Sequence, residues 1–144
     1  MNLKPERVFH YFRELSDIPR ESHNEKAVSD YIYNFGKKLG LETKQDDILN
    51  VYIRKPATKG YENKPGIILQ GHMDMVCEKA TSSKHNFATD KIEWVIKDDL
   101  LFANKTTLGA DDGIAVAMAM AILEDETLIH PELEVLITVT EETT

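Results

Sequence analysis

The stretch at residues 66–76, GIILQGHMDMV, places polar side chains at the tip of an apolar run. Residues 67–70 within it are predicted to form a compact β-strand that is buried in a sheet. His72 and Asp74 follow this strand, where packing alone would require only a turn residue. Side chains two residues apart on an extended segment point the same way, so His72 and Asp74 would face the same side. This strand tip is therefore a candidate functional site.

Helical and strand patterns alternate along the rest of the chain. Helices are predicted at 5–15, from a capping box at Ser22–Glu25 to 39, and from 113 to 123; strands at 42–45, 50–54 and 133–140; and a hairpin at 92–104 around Asp98-Asp99. Gly40 is predicted to end the second helix. The alternation predicts an α/β fold in which helices pack on a mostly buried mixed β-sheet.

Acidic or imidazole side chains form three clusters, each at one end of an apolar element. They are His72 and Asp74 after one strand, Asp111 and Asp112 at the start of a helix, and Glu141 and Glu142 after another strand. In open α/β sheets, ligands gather at the carboxyl ends of strands. If His72 binds a metal ion, Asp74 can accept the other ring N–H and fix the tautomer.

The two remaining clusters also fit metal chemistry. The two oxygens of Asp111 could bridge paired cations, which stand about 3.5–4 Å apart in two-metal sites. One carboxylate of the Glu141–Glu142 pair could then hold metal while the other takes a proton from water.

Each cluster also has a simpler interpretation. A His–Asp pair is often a structural hydrogen bond, and Asp at a helix start is often an N-cap. A Glu pair after a strand is usually a solvated loop. From spacing alone, both a two-metal hydrolase and a plain domain with an acidic edge stay open.

Composition narrows the class of partner. The 144 residues include 17 basic and 25 acidic side chains, a formal net charge of −8, which disfavours nucleic acid and anionic membranes as partners. The single cysteine, Cys77, excludes an intrachain disulfide framework and fits a reducing, cytoplasmic compartment; we interpret it as a small buried apolar residue.

The longest apolar stretch, residues 113–123, is too short for a bilayer span of about 20 residues. Neither a phosphate-binding glycine loop nor a G-x-S-x-G motif is present.

Three segments carry a resemblance to a known family: LQGHMDMV at 69–76, TTLGADDGIAVAMA at 106–119 and LEVLITVTEE at 133–142. They closely resemble the amino-terminal part of the aminoacyl-histidine dipeptidases, which belong to the zinc aminopeptidase, carboxypeptidase and deacylase superfamily. The likeness extends over nearly the whole chain. It implies a metal-dependent hydrolase of dipeptides, above all Xaa-His dipeptides such as carnosine.

Carried over position by position, the resemblance implies three metal ligands, with Asp111 bridging the two ions that His72 and Glu142 hold. Asp74 would orient the imidazole, and Glu141 would be the general base. A cis peptide bond is implied between residues 111 and 112. The implied cofactor is Zn²⁺, two ions per complete site, with Mn²⁺ or Co²⁺ as alternatives.

The resemblance also implies what the chain does not contain. Residues 1–144 would form the amino-terminal portion of the catalytic domain, without the family's lid domain, a further acidic ligand and a distant His ligand. Full-length relatives are implied to be homodimers. We therefore expect weak metal binding and no useful turnover by this chain alone. A tripeptidase, aminoacylase or carboxypeptidase of the same superfamily, or a non-catalytic cation-binding domain, stays open as an alternative.

Overall fold

A computed structural model describes residues 3–143. Within this range the chain forms three helices and six strands: α1 (Glu6–Ser16), α2 (Lys26–Lys38), β1 (Glu42–Gln45), β2 (Val51–Lys55), β3 (Ile67–His72), β4 (Trp94–Lys97), β5 (Leu100–Ala103), α3 (Ala110–Glu124) and β6 (Leu133–Thr138). Each predicted helix and strand is present. The predicted hairpin around Asp98 is also confirmed, as β4 and β5, and Asp98 has the positive φ of 55° that suits a tight turn.

Four strands of the described chain form one mixed sheet in the order β1-β2-β6-β3. β6 runs parallel to β3 and antiparallel to β2. The register pairs Ile67 with Leu133 and His72 with Thr138. Because parallel strands end at the same edge of a sheet, the tip after His72 and the turn after Thr138 are neighbours.

The three helices pack on one face of this sheet. Alternate residues of the two central strands are buried, and Ile53 and Val135 among them are at most 1% exposed. Phe12, Ile32 and Val116 from the helices pack in the same cluster. Fully burying one such side chain contributes about 1.5–3 kcal/mol. The predicted α/β class with a mixed sheet is confirmed.

The first half of β3 is more exposed than its apolar sequence predicts. Ile67 is 45% and Ile68 is 66% exposed, because β3 is the edge strand of the described sheet. The prediction of a buried strand is therefore wrong for these two residues. His72 at the strand's other end is buried.

The prediction for α2 is correct at its carboxyl end and incorrect at its amino end. Gly40, with φ of 72°, follows the helix and confirms the predicted stop. The predicted capping box is wrong, since no side chain caps the helix start and Glu25 occupies the N-cap position. Ser22 and Glu25 instead bond to residues on distant segments, as described below.

The start of α3 is irregular. Gly109 precedes it with φ of 71°, and Asp111 and Asp112 have non-helical dihedral angles before the regular helix begins near the predicted Gly113. The peptide bond between Asp111 and Asp112 is cis, which confirms the geometry that the resemblance implied. Across residues 3–143, no helix combines the length and apolar character needed to cross a bilayer.

Candidate metal centre

His72 ends β3 with its ring buried and both ring nitrogens facing oxygen atoms. Nδ1 lies 3.2 Å from the backbone oxygen of Asp74 and 3.2 Å from its Oδ1. Nε2 lies 3.1 Å from Oδ1 of Asp111 and 3.7 Å from Oε2 of Glu141. Carbonyl and ionised carboxylate oxygens only accept hydrogen bonds, so Nδ1 must carry a proton. A cation, either a proton or a metal ion, is then required between Nε2 and the two carboxylates.

The negative charges around the His72 ring raise its pKa. Burial by itself would lower the pKa of His72, but the hydrogen bond with Asp111 and the negative charges of Asp74, Asp112 and Glu141 outweigh it. The net result is a raised pKa. The site therefore favours positive charge at Nε2.

Asp74 lies at the centre of the polar network and has no exposed surface. Its carboxylate accepts hydrogen bonds from the hydroxyl of Ser22 at 2.7 Å and from the backbone amides of Glu141 at 3.1 Å and Glu142 at 3.2 Å. Burial would raise the pKa of Asp74, but these bonds and the charge of His72 outweigh burial and lower it. Asp74 thus contacts the imidazole through Oδ1 and also bonds the turn that carries the glutamate pair.

The glutamate pair follows β6 in a turn that begins at Thr140, whose φ is 57°. The buried carboxylate of Glu25 accepts bonds from the backbone amide of Thr140 at 3.0 Å and from its hydroxyl at 2.8 Å. Glu25 and Asp74 therefore hold the two ends of this turn. As a result, one ligand atom each from His72, Glu141 and Glu142 all lie within 4.8 Å of one another.

The two aspartates at the start of α3 point in different directions. The side chain of Asp111 is 87% exposed and reaches Nε2 of His72. Asp112 turns inward, where its carboxylate lies against the backbone at Gly71 and His72, and burial raises its pKa. Its Oδ2 would lie 2.6 Å from a Cβ at residue 71, so Gly71 is needed for this approach.

The structure thus brings the five predicted site residues together at one edge of the sheet. The described geometry fits a metal ion, because one imidazole nitrogen with its second nitrogen held by a carboxylate faces further carboxylate oxygens. The three residues whose ligand atoms lie together are His72, Glu141 and Glu142. Asp111, at the start of α3, contacts the ring of His72 at Nε2. Which glutamate ligates metal and which acts as base stays a prediction.

Sequence reasoning assigned no role in the site to four residues that shape it: Arg20, Ser22, Glu25 and Asp112. Three of them lie in the connection between α1 and α2, which is distant in sequence from every predicted ligand. The one available signal was local, since an Arg, a Ser and a Glu in a short irregular segment between two amphipathic helices have no partner there. That signal was interpreted as a helix cap.

Two comparisons identify close relatives. The chain is 41% identical over 140 residues to the cytosol non-specific dipeptidase of Escherichia coli strain K12, covering 97% of this chain and 29% of that protein. The crystal structure of the aminoacylhistidine dipeptidase from Vibrio alginolyticus superposes with a TM-score of 0.96 at 39% identity, covering 99% of this chain and 29% of that one. No family model matches.

A more distant structure shares the architecture. The tripeptidase from Staphylococcus aureus matches with a TM-score of 0.75 at 25% identity, over 95% of this chain and 37% of that one. The chain spans about 29% of the length of the two closer relatives. Over that span, the resemblance to the aminoacyl-histidine dipeptidases that the motifs predicted is confirmed.

Proposed function

We propose that this chain carries part of the active site of a metal-dependent peptidase that hydrolyses dipeptides. The observation that carries the proposal is the group formed by His72, Glu141 and Glu142, whose ligand atoms lie within 4.8 Å at the ends of two adjacent parallel strands. The identity of 41% to a dipeptidase supports the same reaction class.

In the proposed site, His72, Asp111 and Glu142 would hold the cations. The cations, when bound, polarise the scissile carbonyl and acidify the attacking water. Zn²⁺ suits these mixed ligands, and Mn²⁺ or Co²⁺ can replace it. Asp74 keeps the proton on Nδ1, so that Nε2 offers its lone pair.

Glu141 is the proposed general base. Its backbone amide is fixed by Asp74, while its side chain is 59% exposed and lies 3.7 Å from the imidazole. The carboxylate is therefore placed at the open side of the site, where it can take a proton from water and deliver it to the leaving amine. The neighbouring amide of Glu142 shares the same anchor.

The proposed partner is a dipeptide, and Xaa-His dipeptides are the narrower proposal. One relative is named for aminoacylhistidine substrates and the other as non-specific. We expect an enzyme with the complete site to hydrolyse β-alanyl-histidine faster than a dipeptide that lacks the imidazole. Equal rates for the two would favour the non-specific class.

Metal titration tests the proposal directly. Calorimetry with Co²⁺ should show binding to the wild-type chain and a loss of affinity of at least about tenfold in His72→Ala, because one ligand is removed. His130→Ala is a matched control, since His130 is also 7% exposed and the one hydrogen bond of its ring in the described structure is to the backbone oxygen of Pro131. Equal Co²⁺ affinity in wild type and His72→Ala would refute the proposed site.

Peptidase assays with added zinc test the accompanying expectation of an incomplete site. We expect no useful turnover from residues 1–144 alone. Robust hydrolysis of a dipeptide by this chain would contradict that expectation while supporting the proposed reaction.

A further inference from the structure

Arg20 is a buried cation that joins two separate segments of the site. Its side chain is in the α1–α2 connection, and the residue is 2% exposed. Nη1 donates to the backbone oxygens of Met73 at 3.1 Å and Asp74 at 3.3 Å, and Nη2 donates to that of Gly109 at 2.6 Å. One guanidinium therefore bridges the segment after β3 and the segment before α3.

The backbone of Arg20 adds to this link. Its carbonyl accepts the amide of Met75 at 3.0 Å, so the connection runs beside the strand tip that carries His72. The planar guanidinium presents its donors in a fixed fork, which defines where each carbonyl must lie. The position of the strand tip relative to Gly109 is thereby determined by one side chain.

Two glycines let the aspartate pair approach this side chain. Gly109 and Gly113 lie two residues before Asp111 and one residue after Asp112. A Cβ at residue 109 would be 2.5 Å from Nη2, and a Cβ at residue 113 would be 2.6 Å from it. The segment that carries both aspartates is thus folded around the guanidinium.

Filling this space in the core does not by itself require a cation. Desolvating a cation costs several kcal/mol, and replacing buried ionic groups by apolar ones is often neutral or stabilising. Nε of Arg20 is buried without a hydrogen-bond partner among the described residues, which adds to that cost. What an apolar residue could not supply is directed donors to carbonyls on both segments.

We propose that Arg20 is a positioning residue that sets the separation between the His72–Asp74 segment and the Asp111–Asp112 segment, and through it the affinity of the metal site. This inference rests on the proposed function for the metal, but the separation itself can be measured without metal. Among the described residues, Arg20 has no hydrogen bond to a predicted metal ligand; it acts through the backbone carbonyls of Met73, Asp74 and Gly109, which are close to the ligands in sequence.

Lys55 provides a matched control. Its ammonium group also donates to three backbone carbonyls, those of Ile122, Leu123 and Asp125 at the end of α3. Both cations therefore clamp carbonyls, but only Arg20 clamps carbonyls of the site. Arg20→Met and Lys55→Met remove comparable sets of bonds and differ in where the bonds were.

The first measurement is Co²⁺ affinity by calorimetry for wild type, Arg20→Met, Arg20→Lys and Lys55→Met. We expect Arg20→Met to weaken binding by about tenfold to a hundredfold, the range found when residues that orient metal ligands are removed. Lys55→Met should bind as wild type does. If Arg20→Met does not fold by circular dichroism, Arg20→Lys decides, because it keeps the charge and loses the fork; we expect about tenfold weaker binding.

The second measurement uses amide hydrogen exchange without metal. The carboxylate of Asp112 lies against the backbone at Gly71 and His72, so protection of the His72 amide reports contact between the two segments. We expect either Arg20 variant to lose protection at His72 by a larger factor than at Ile53 in the core, whereas Lys55→Met should lower both alike.

These measurements separate the two proposals. If the wild-type chain binds no Co²⁺, the proposed function fails, and the exchange at His72 alone decides the role of Arg20. If the folded Arg20 variants match Lys55→Met in both Co²⁺ affinity and His72 protection, the positioning role is overturned while the metal site stands.

Discussion

Replacing Asp74 with asparagine tests the network on which the site depends. The substitution keeps the shape of the side chain but changes one carboxylate oxygen to an NH₂ group. Oδ1 accepts from His72 and from the amide of Glu141, and Oδ2 accepts from Ser22 and from the amide of Glu142. Whichever oxygen is replaced, one backbone N–H of the glutamate pair then faces another donor.

The expected loss follows from these contacts. A hydrogen bond to a charged group contributes about 1.5–3 kcal/mol, and a buried donor left without an acceptor costs about 1–3 kcal/mol. The hydroxyl of Ser22 can rotate to accept from the new NH₂ group, which recovers part of the loss. We therefore expect Asp74→Asn to lower the free energy of unfolding by about 3 kcal/mol near neutral pH.

The pH dependence gives the prediction a sign. The pKa of Asp74 in the folded chain is lowered below its ordinary value of 3.8. Its stabilising effect is therefore fully present above 3.8 and is lost as the pH falls through the folded-state pKa. The difference between wild type and Asp74→Asn should persist at about pH 6 and shrink at about pH 3.

Urea unfolding followed by circular dichroism, with a chelator present, measures this difference. Asp46→Asn is the control, because Asp46 also accepts two backbone amides but is exposed to solvent. A smaller change is expected there. If Asp74→Asn is within about 0.5 kcal/mol of wild type at neutral pH, the buried network does not stabilise the fold as inferred.

Three further predictions concern other parts of the molecule. Lys55→Met should lower the free energy of unfolding by about 1.5–3 kcal/mol in a urea titration, because it leaves carbonyls at the end of α3 unpaired. Gly113→Ala should cost about 1–3 kcal/mol by the same assay despite the helix preference of alanine, because its Cβ would meet Arg20 at 2.6 Å. In chelator, the stability advantage of wild type over His72→Gln should be largest below about pH 6.5 and shrink at higher pH, because a raised pKa stabilises the folded state only while the ring is protonated.

Local patterns predicted the elements of the fold well where local forces determine them. The residue after the C-cap of α2 must adopt a positive φ, and Gly40 stands at that position. A glycine there is visible directly in the sequence. β6, which ends at Thr138, alternates buried and less buried residues, as its sequence predicts. The turn at Asp98 is predicted because it lies between two apolar segments that pair as strands. The gathering of His72 near the glutamate pair also follows from parallel strands ending at one edge of the sheet.

Long-range competition explains what was not predicted. Ser22 and Glu25 have the spacing of a capping box, but Ser22 bonds Asp74 and Glu25 bonds Thr140, 52 and 115 residues away. A local pattern contains no information about such partners. The exposure of Ile68 has a similar origin, since an apolar strand looks the same in sequence at the centre and at the edge of a sheet.

The topology of the sheet explains only part of this site, and the α1–α2 connection explains the rest. The topology brings the clusters to one edge, but it does not orient their side chains. Orientation comes from Arg20, Ser22 and Glu25, which bond the strand tip, the segment before α3 and the turn after β6. Because a buried polar group is costly unless its bonds are made, each of these residues ties the stability of the fold to one arrangement of the site. A substitution in this connection should therefore alter metal affinity without changing any ligand, whereas an equally destabilising change elsewhere in the core should not.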